Sequence, residues 1–455
     1  MHKQETDTIF ALSSARGSAG IAVLRLSGDQ ALGAANRLMD GKELVPRKTH
    51  LRWLTNPQTK EQLDQALVLY FAGPNSFTGE DVVELHCHGS MAVLDAVSSC
   101  LLDLGLRSAE PGEFTRRAFD NNRLDLLEAE GLADLIDSRT DAQRQQALGQ
   151  MGGELSQQVE IWRSLLLAAL ARIEAEIDFP DEEDVSGSLV GQTEPGLAEL
   201  QSLLLANLQQ ANRGTKVRDG YLIALLGPVN AGKSTLLNAL AGEERAIVSA
   251  EPGTTRDIVE VQLQIGGFLV TIADSAGLRP STDKIEIEGI RRAKKLAERA
   301  DLRLFLNDGS KSDKAAGREF LSLAQEGDLF LRTKTDLLLD PKPAQQGEKT
   351  DELNVSAKTG TGLEQVLLQI ETRVTQTLGK SEVPVLTRAR HIDAVGRAEQ
   401  AVQAARNELT KPDGAMPELV AEHLRDASQS LGYLVGRVHS EQILDEIFNG
   451  FCIGK

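Results

Sequence analysis

Tyr221-Leu222-Ile223-Ala224-Leu225-Leu226-Gly227-Pro228-Val229-Asn230-Ala231-Gly232-Lys233-Ser234 is the stretch on which the architecture of this chain turns. Its first six residues are apolar and short enough for one buried strand. The next eight spell G-x-x-x-x-G-K-S and open a helix, which is the strand, loop and helix context that this motif requires. Glycines let successive backbone N–H groups wrap a polyphosphate, Lys233 reaches its β and γ oxygens, and the Ser234 hydroxyl ligates magnesium. Ala231, Gly232 and Thr235 belong to the same cradle.

Working outward, Asp274-Ser275-Ala276-Gly277 follows a strand expected over Phe268 to Ala273. A carboxylate at that strand end suits magnesium through water, and the Gly277 N–H suits the γ-phosphate. Between the two motifs lies Gly253-Thr254-Thr255-Arg256-Asp257, a polar loop whose Thr255 would complete the magnesium shell only with triphosphate bound, the behaviour of a switch. Thr333-Lys334-Thr335-Asp336 follows another strand. The Asp336 carboxylate can accept from guanine N1 and N2, donors that adenine lacks. Ser356-Ala357-Lys358 is the usual companion around guanine O6. P-loop GTPases commonly carry Asn at position 333, and the Thr hydroxyl here would replace one tethering hydrogen bond. Where a Ras-like site has a Gln to orient water, this chain has Leu278, which neither donates nor accepts.

The surroundings of the nucleotide motifs divide the 455 residues into about three domains. Residues 1–121 mix strand-like alternation (Ile21 to Leu26, Ala66 to Phe71) with a helix over Met91 to Leu104, an α+β pattern. Residues 122–217 turn helical: Leu155, Val159, Trp162, Leu166, Ile173 and Ile177 recur at helical spacing. Asp178 to Gly196 reads as a solvated break, with a further helix leading to Val217. Residues 218–380 alternate short apolar runs with helices, as in a parallel sheet covered on both faces. Residues 381–455 return to helix, with Val420, Leu424, Ala427, Leu431, Leu434 and Val438 in one stripe. The expectation is therefore an α+β N-terminal domain, an all-α helical bundle domain, and an inserted α/β Ras-like G domain.

Composition narrows the classes. With 49 basic and 67 acidic residues the formal charge is -18, which opposes sequence-independent clamping of nucleic acid and leaves room only for a local patch. No apolar run approaches the ~18 residues of a membrane span, and no leader pattern is present, so a cytoplasmic protein is expected. Cys87, Cys100 and Cys452 form no C-x-x-C pair and are read as reduced thiols. The two His of His86-Cys87-His88 share one strand face, yet no further ligand cluster accompanies them. No G-x-G-x-x-G follows a strand, so no flavin or nicotinamide site is expected.

Asn230, the Gly-Thr-Thr-Arg-Asp switch, Asp-Ser-Ala-Gly-Leu-Arg and the terminal Phe451-Cys452-Ile453-Gly454-Lys455 together resemble the MnmE (TrmE) family of tRNA-modification GTPases. So do Asp7-Thr8-Ile9, Gly20 to Gly28, the Gly73 to Asp81 segment and Pro111-Gly112-Glu113-Phe114. The resemblance spans nearly the whole chain. It implies a homodimeric GTPase activated when two G domains meet, with Lys233, Asp274 and Glu286 as catalytic residues and Glu286 organising the attacking water. It implies potassium beside the nucleotide, held by Asn230 with the Ser249 to Thr254 loop (Ser249, Glu251, Thr254). It also implies a 5-formyltetrahydrofolate or related folate bound by Arg25, Glu84, Arg123 and Lys455, where one carboxylate suits a pterin and cations suit its glutamate.

By the same likeness an MnmG-type flavoprotein partner brings the FAD, and the product is a carboxymethylaminomethyl or aminomethyl group at carbon 5 of the wobble uridine of certain tRNAs. Cys452 would lie near the folate and the reacting base, as nucleophile or as packing; a C-terminal lipid signal does not fit Ile-Gly-Lys. A GTP-dependent ribosome-assembly factor is the alternative, sharing the G-domain motifs and lacking the folate site. A P-loop ATPase is opposed by Asp336.

Overall fold

The computed structural model describes residues 7–39, 43–178, 189–243, 245–247, 259–274, 285–310, 318–338, 352–379, 384–412, 414–437 and 441–454. Contacts divide the chain into two compact units, Met1–Ala133 with Gln150–Ser164 and Ser428–Lys455, and Asp134–Gly149 with Leu165–Ala427.

The first unit is built on a six-stranded sheet. In chain order its elements are β1 (Ile9–Leu12), β2 (Ala19–Ser27), α1 (Ala31–Leu38), β3 (His50–Thr55), β4 (Gln62–Phe71), β5 (Val82–Gly89), α2 (Met91–Asp103), β6 (Arg107–Ser108) and α3 (Glu113–Asp120). The strand order is β3-β4-β5-β2-β1-β6, with every pair antiparallel except β1 and β6. Alternation sets the faces: Ala66, Val68, Val83, Leu85 and Cys87 turn inward, and α1 and α2 cover them with Ala35, Leu38, Val97 and Leu101. The other face carries Arg25 and Glu84, which are direct cross-strand partners.

Three helices follow, α4 (Leu126–Asp137), α5 (Asp141–Met151) and α6 (Glu154–Asp178), then α7 (Leu189–Asp219). Asp125 and Glu128 form a reciprocal capping box at the start of α4, each side chain accepting from the other's backbone N–H at 2.8 Å. In α6 the expected stripe is buried at Leu155, Val159, Trp162, Leu166 and Ile173. Each such side chain contributes roughly 1.5–3 kcal/mol, against a few tenths for helix propensity, so packing holds this helix.

One expectation is corrected here. The break read as far as Gly196 ends earlier, because α7 begins at Leu189 and runs through Pro195. Proline inside a helix costs about 3 kcal/mol; burial of Leu197, Leu200 and Leu204 along one stripe offsets it. Residues 179–188 lie outside the described residues.

The α/β portion comprises β7 (Tyr221–Leu226), α8 (Lys233–Ala241), β8 (Val259–Ile265), β9 (Phe268–Asp274), α9 (Ile285–Arg299), β10 (Leu302–Asp308), the single turn α10 (Arg318–Leu321), β11 (Leu329–Thr333), β12 (Glu352–Asn354) and α11 (Leu363–Leu378). Its sheet has the order β12-β11-β10-β7-β9-β8, all parallel but for β8. Buried strands with helices on both faces give two apolar layers, one with Ile223, Leu225 and Ile370, the other with Ala224, Leu226 and Ala297.

The last helices are α12 (Ala389–Leu409), α13 (Pro417–Leu434) and α14 (Glu441–Asn449). Val420 through Leu434 keep the expected stripe, fully buried, while Val438 lies outside the described residues. The α/β portion is an insertion, since the chain before and after it is tied together. Gln146 Nε2 donates to the carbonyls of Gly214 at 3.1 Å and Pro384 at 3.2 Å, and Gln201 on α7 donates to Glu399 on α12 at 2.8 Å. Within the first unit, Leu444, Phe448 and Phe451 pack on Leu126 and Ala129. The tail then bridges Ile453 to Pro111, and Ser13 Oγ donates to the Gly454 carbonyl at 2.9 Å. Among the described residues no helix is long and apolar enough to cross a membrane.

Candidate functional site

Parallel strands bring their carboxyl ends to one edge, and in an open α/β sheet that edge is where ligands bind. The register does this here: Leu225 of β7 pairs with Asp274 of β9, and Asp308 of β10 with Thr333 of β11. Directly after β7 the chain makes the loop 227–232. Gly227 adopts φ +149°, and a Cβ there would lie 2.4 Å from the Leu306 carbonyl, so the loop can pass β10 only as glycine.

Asn230 also sits in the left-handed region (φ 64°), with its residue exposed at the loop tip. Gly232, at φ 94°, caps α8, so the helix N-terminus faces the loop. Lys233 is buried and its Nζ donates to the carbonyls of Gly227 at 2.8 Å and Pro228 at 2.9 Å. Burial pushes its ammonium below the ordinary lysine range, against the pull of Asp274.

Ser234 Oγ donates to Asp274 Oδ2 at 2.7 Å, and Asp274 is itself fully buried at the end of β9. Two hard oxygens so placed beside a lysine fit a magnesium polyphosphate. Thr235 is exposed in the first turn of α8, and Ala231 is buried. Beyond β11, Ser356 Oγ donates to Asp336 Oδ1 at 2.7 Å, which fixes the carboxylate's orientation. Ala357 is half-buried and Lys358 exposed beyond it. Lys334 takes φ 57° and its Nζ meets Asp308 Oδ2 at 2.7 Å. Burial works to raise the Asp308 carboxyl, and hydrogen bonds from Lys334 and Ser310 outweigh it, holding the acid below the usual carboxylate range.

Thr333 occupies the position where an Asn is common. Its Oγ1 lies 2.6 Å from the Ala231 carbonyl and 3.0 Å from that of Asn307, and donation to the nearer carbonyl ties the loop 227–232 to the end of β11. Asp308 was not singled out from the sequence. Its signal was available, an acid at the end of a mainly apolar strand-like run, as Asp274 is.

Ser249, Glu251, Thr254, Thr255, Gly277 and Leu278 lie outside the described residues, as does Lys455. Glu286 falls in the first turn of α9, its side chain outside the description.

A second cluster lies in the N-terminal sheet. Arg25 Nε and Nη2 both reach Glu84 Oε1 at 3.0 Å, and Glu84 Oε2 meets His86 Nε2 at 3.2 Å. Arg123 does not share this pair; its side chain lines a cavity of about 810 Å³ with Phe119, Asn122, Ser156 and Gly436, and its stem packs against the position of Gly79. His88 turns to Asp64 at 2.7 Å while Cys87 faces the core. Among the described residues no group of three His, Cys, Asp or Glu converges for a metal. Cys452 is exposed on the docked tail.

A family model described as the GTP-binding protein TrmE N-terminus matches residues 8–123, and one described as the MnmE helical domain matches residues 126–452. A protein named tRNA modification GTPase MnmE from Parvibaculum lavamentivorans is 50% identical over 450 residues, 99% of this chain and 100% of the relative. One of the same name from Maricaulis maris is 46% identical over 98% of this chain and 99% of its own. Among solved structures, the FeoB G domain from Methanococcus jannaschii is 26% identical and covers 34% of this chain and 98% of its own, at a TM-score of 0.26. With both family models matched and relatives aligned from end to end, the chain belongs to the MnmE family of tRNA modification GTPases and is a GTP hydrolase.

Proposed function

We propose that this GTPase works as a homodimer in the cytoplasm, and that association of its G domains gates a modification at carbon 5 of the wobble uridine of certain tRNAs. The added group is carboxymethylaminomethyl or aminomethyl, the one-carbon unit comes from 5-formyltetrahydrofolate or a related folate, and an MnmG-type FAD protein is the partner. The observation that carries the GTP half is the convergence of Lys233, Ser234 and Asp274 on one strand edge with Asp336 and Ser356. In that arrangement Ser234 and Asp274 would hold magnesium, Lys233 would neutralise the β and γ oxygens, and Asp336 would select guanine. Arg25 and Glu84 support the folate half, and Arg123 and Lys455 are proposed to join them.

Leu278 cannot hold the attacking water. Glu286 is proposed to do so, with Asn230, Ser249, Glu251 and Thr254 around a potassium ion that offsets the charge developing between the phosphates. The ribosome-assembly alternative gains nothing from the N-terminal match over residues 8–123.

Nucleoside analysis of tRNA from a strain lacking this chain tests the modification: loss of the carbon-5 substituent is expected, and an unchanged wobble uridine refutes it. GTP turnover in potassium against sodium tests the cation, with several-fold faster hydrolysis expected in potassium. Equal rates would remove it.

A further inference from the structure

Arg25 has more around it than its acid. Its guanidinium carbon lies 5.5 Å from the ring centroid of Phe77 and 5.8 Å from that of Phe114, both within the range at which an aromatic face attracts a cation. Phe114 is fully buried and Phe77 half-buried, in one apolar cluster with Ile9, Ala11 and Ala109. The two rings come from separate segments, Phe77 from the loop after β4 and Phe114 from the first turn of α3.

An ion network fixes their spacing. Arg117 of α3 is one-tenth exposed and reaches Glu80 on the Phe77 loop at 3.1 Å and Glu113, next to Phe114, at 2.9 Å. Ser27 Oγ adds a 2.7 Å hydrogen bond to Glu80. The same loop leans on Arg123, since a Cβ at Gly79 would lie 3.3 Å from its Cγ. With Nε and Nη2 committed to Glu84, Nη1 makes no hydrogen bond among the described residues.

We propose that Phe77 and Phe114 are positioning residues for Arg25, holding its guanidinium against their rings so that its Nη1 edge meets an anionic or carbonyl group of the ligand. Arg117 sets the distance between them. This rests on the folate reading of Arg25 given above. It assigns a role to Phe77 and Phe114, residues of the Gly73 to Asp81 and Pro111 to Phe114 segments.

Titration of the full-length chain with 5-formyltetrahydrofolate tests it. Phe77→Leu removes the ring and keeps an apolar side chain, and binding about tenfold weaker is expected; Phe77→Tyr keeps the ring and should bind within about twofold of the parent. Parent-like binding by Phe77→Leu overturns the proposal, and so does an equal loss in both variants, which would mark mere loop disruption.

The Arg25 Nε–H resonance in the ligand-free chain separates this from the folate reading. A ring-shielded signal that moves in Phe77→Leu and not in Phe77→Tyr supports the positioning role even if the parent chain binds no folate, which would end the folate reading alone. A signal identical in all three chains overturns the positioning role.

Discussion

The Thr333 hydroxyl sits 2.6 Å from the carbonyl of Ala231, joining the end of β11 to the loop before α8, 102 residues earlier. A buried hydroxyl that donates to a carbonyl contributes about 1 kcal/mol, and removing the donor leaves the carbonyl unpaired at a cost of roughly 1–3 kcal/mol. Thr333→Val keeps the shape and deletes the hydrogen. Its affinity for a fluorescent GDP should fall by about tenfold, and Thr333→Asn should restore most of it. Unaltered binding by the valine variant would show that the tether does not shape the nucleotide site.

Asp336 is held by Ser356 and would pair with two guanine donors. Asp336→Asn replaces an acceptor-only group by one that also donates, so GTP binding should weaken by at least about a hundredfold while xanthosine triphosphate, with an oxygen at carbon 2, binds better. Competition between the two nucleotides measures the exchange. A variant that still prefers GTP would place guanine recognition elsewhere.

The three thiols should separate by chemistry. Burial, with a smaller push from Asp64, raises the Cys87 thiol to about 12, and burial also raises Cys100, while Cys452 is exposed. Brief alkylation of the native chain near pH 8, followed by peptide mass spectrometry, should label Cys452 and spare the other two. The sign for stability follows from Cys87 holding its proton more tightly when folded. Its contribution is complete below the ordinary thiol value of 9.0 and is lost as pH rises toward about 12. Early labelling of Cys87 in folded protein would contradict its burial.

Gly454 adopts φ +95°, and a Cβ there would lie 2.1 Å from the Leu12 carbonyl. Gly454→Ala must therefore strain or undock the tail, at roughly 1–3 kcal/mol. Hydrogen exchange of residues 451–454 and of Pro111's neighbours should accelerate by about tenfold or more. Exchange at the parent rate would mean that the tail is not held by the Ser13 and Pro111 contacts.

Much of the fold could be read without coordinates, because its signals are local. The apolar run Tyr221 to Leu226 matches β7 residue for residue, and the Leu155 to Ile173 and Val420 to Leu434 stripes are the buried faces of α6 and α13. The first turns of α7, Leu189 to Gly196, escaped because Pro195 and Gly196 are local breakers whose cost is met by distant packing. Asp308 carried a strand-end signal of its own, but its pairing with Lys334, just past β11, is set by strand order.

By itself the sequence determined which backbone segments could cradle phosphate, which faces had to be buried and which side chain, Leu278, could not hold water. Those properties follow from residue type and from spacing along a strand or helix. Only the tertiary structure decided that Arg25 meets Glu84 beside two phenylalanines, that Thr333 ties down Ala231, and that Gly454 closes against Leu12. A period of 2 or 3.6 residues says which way a side chain turns, but its partner is chosen by strand order and long-range packing, which no local spacing encodes.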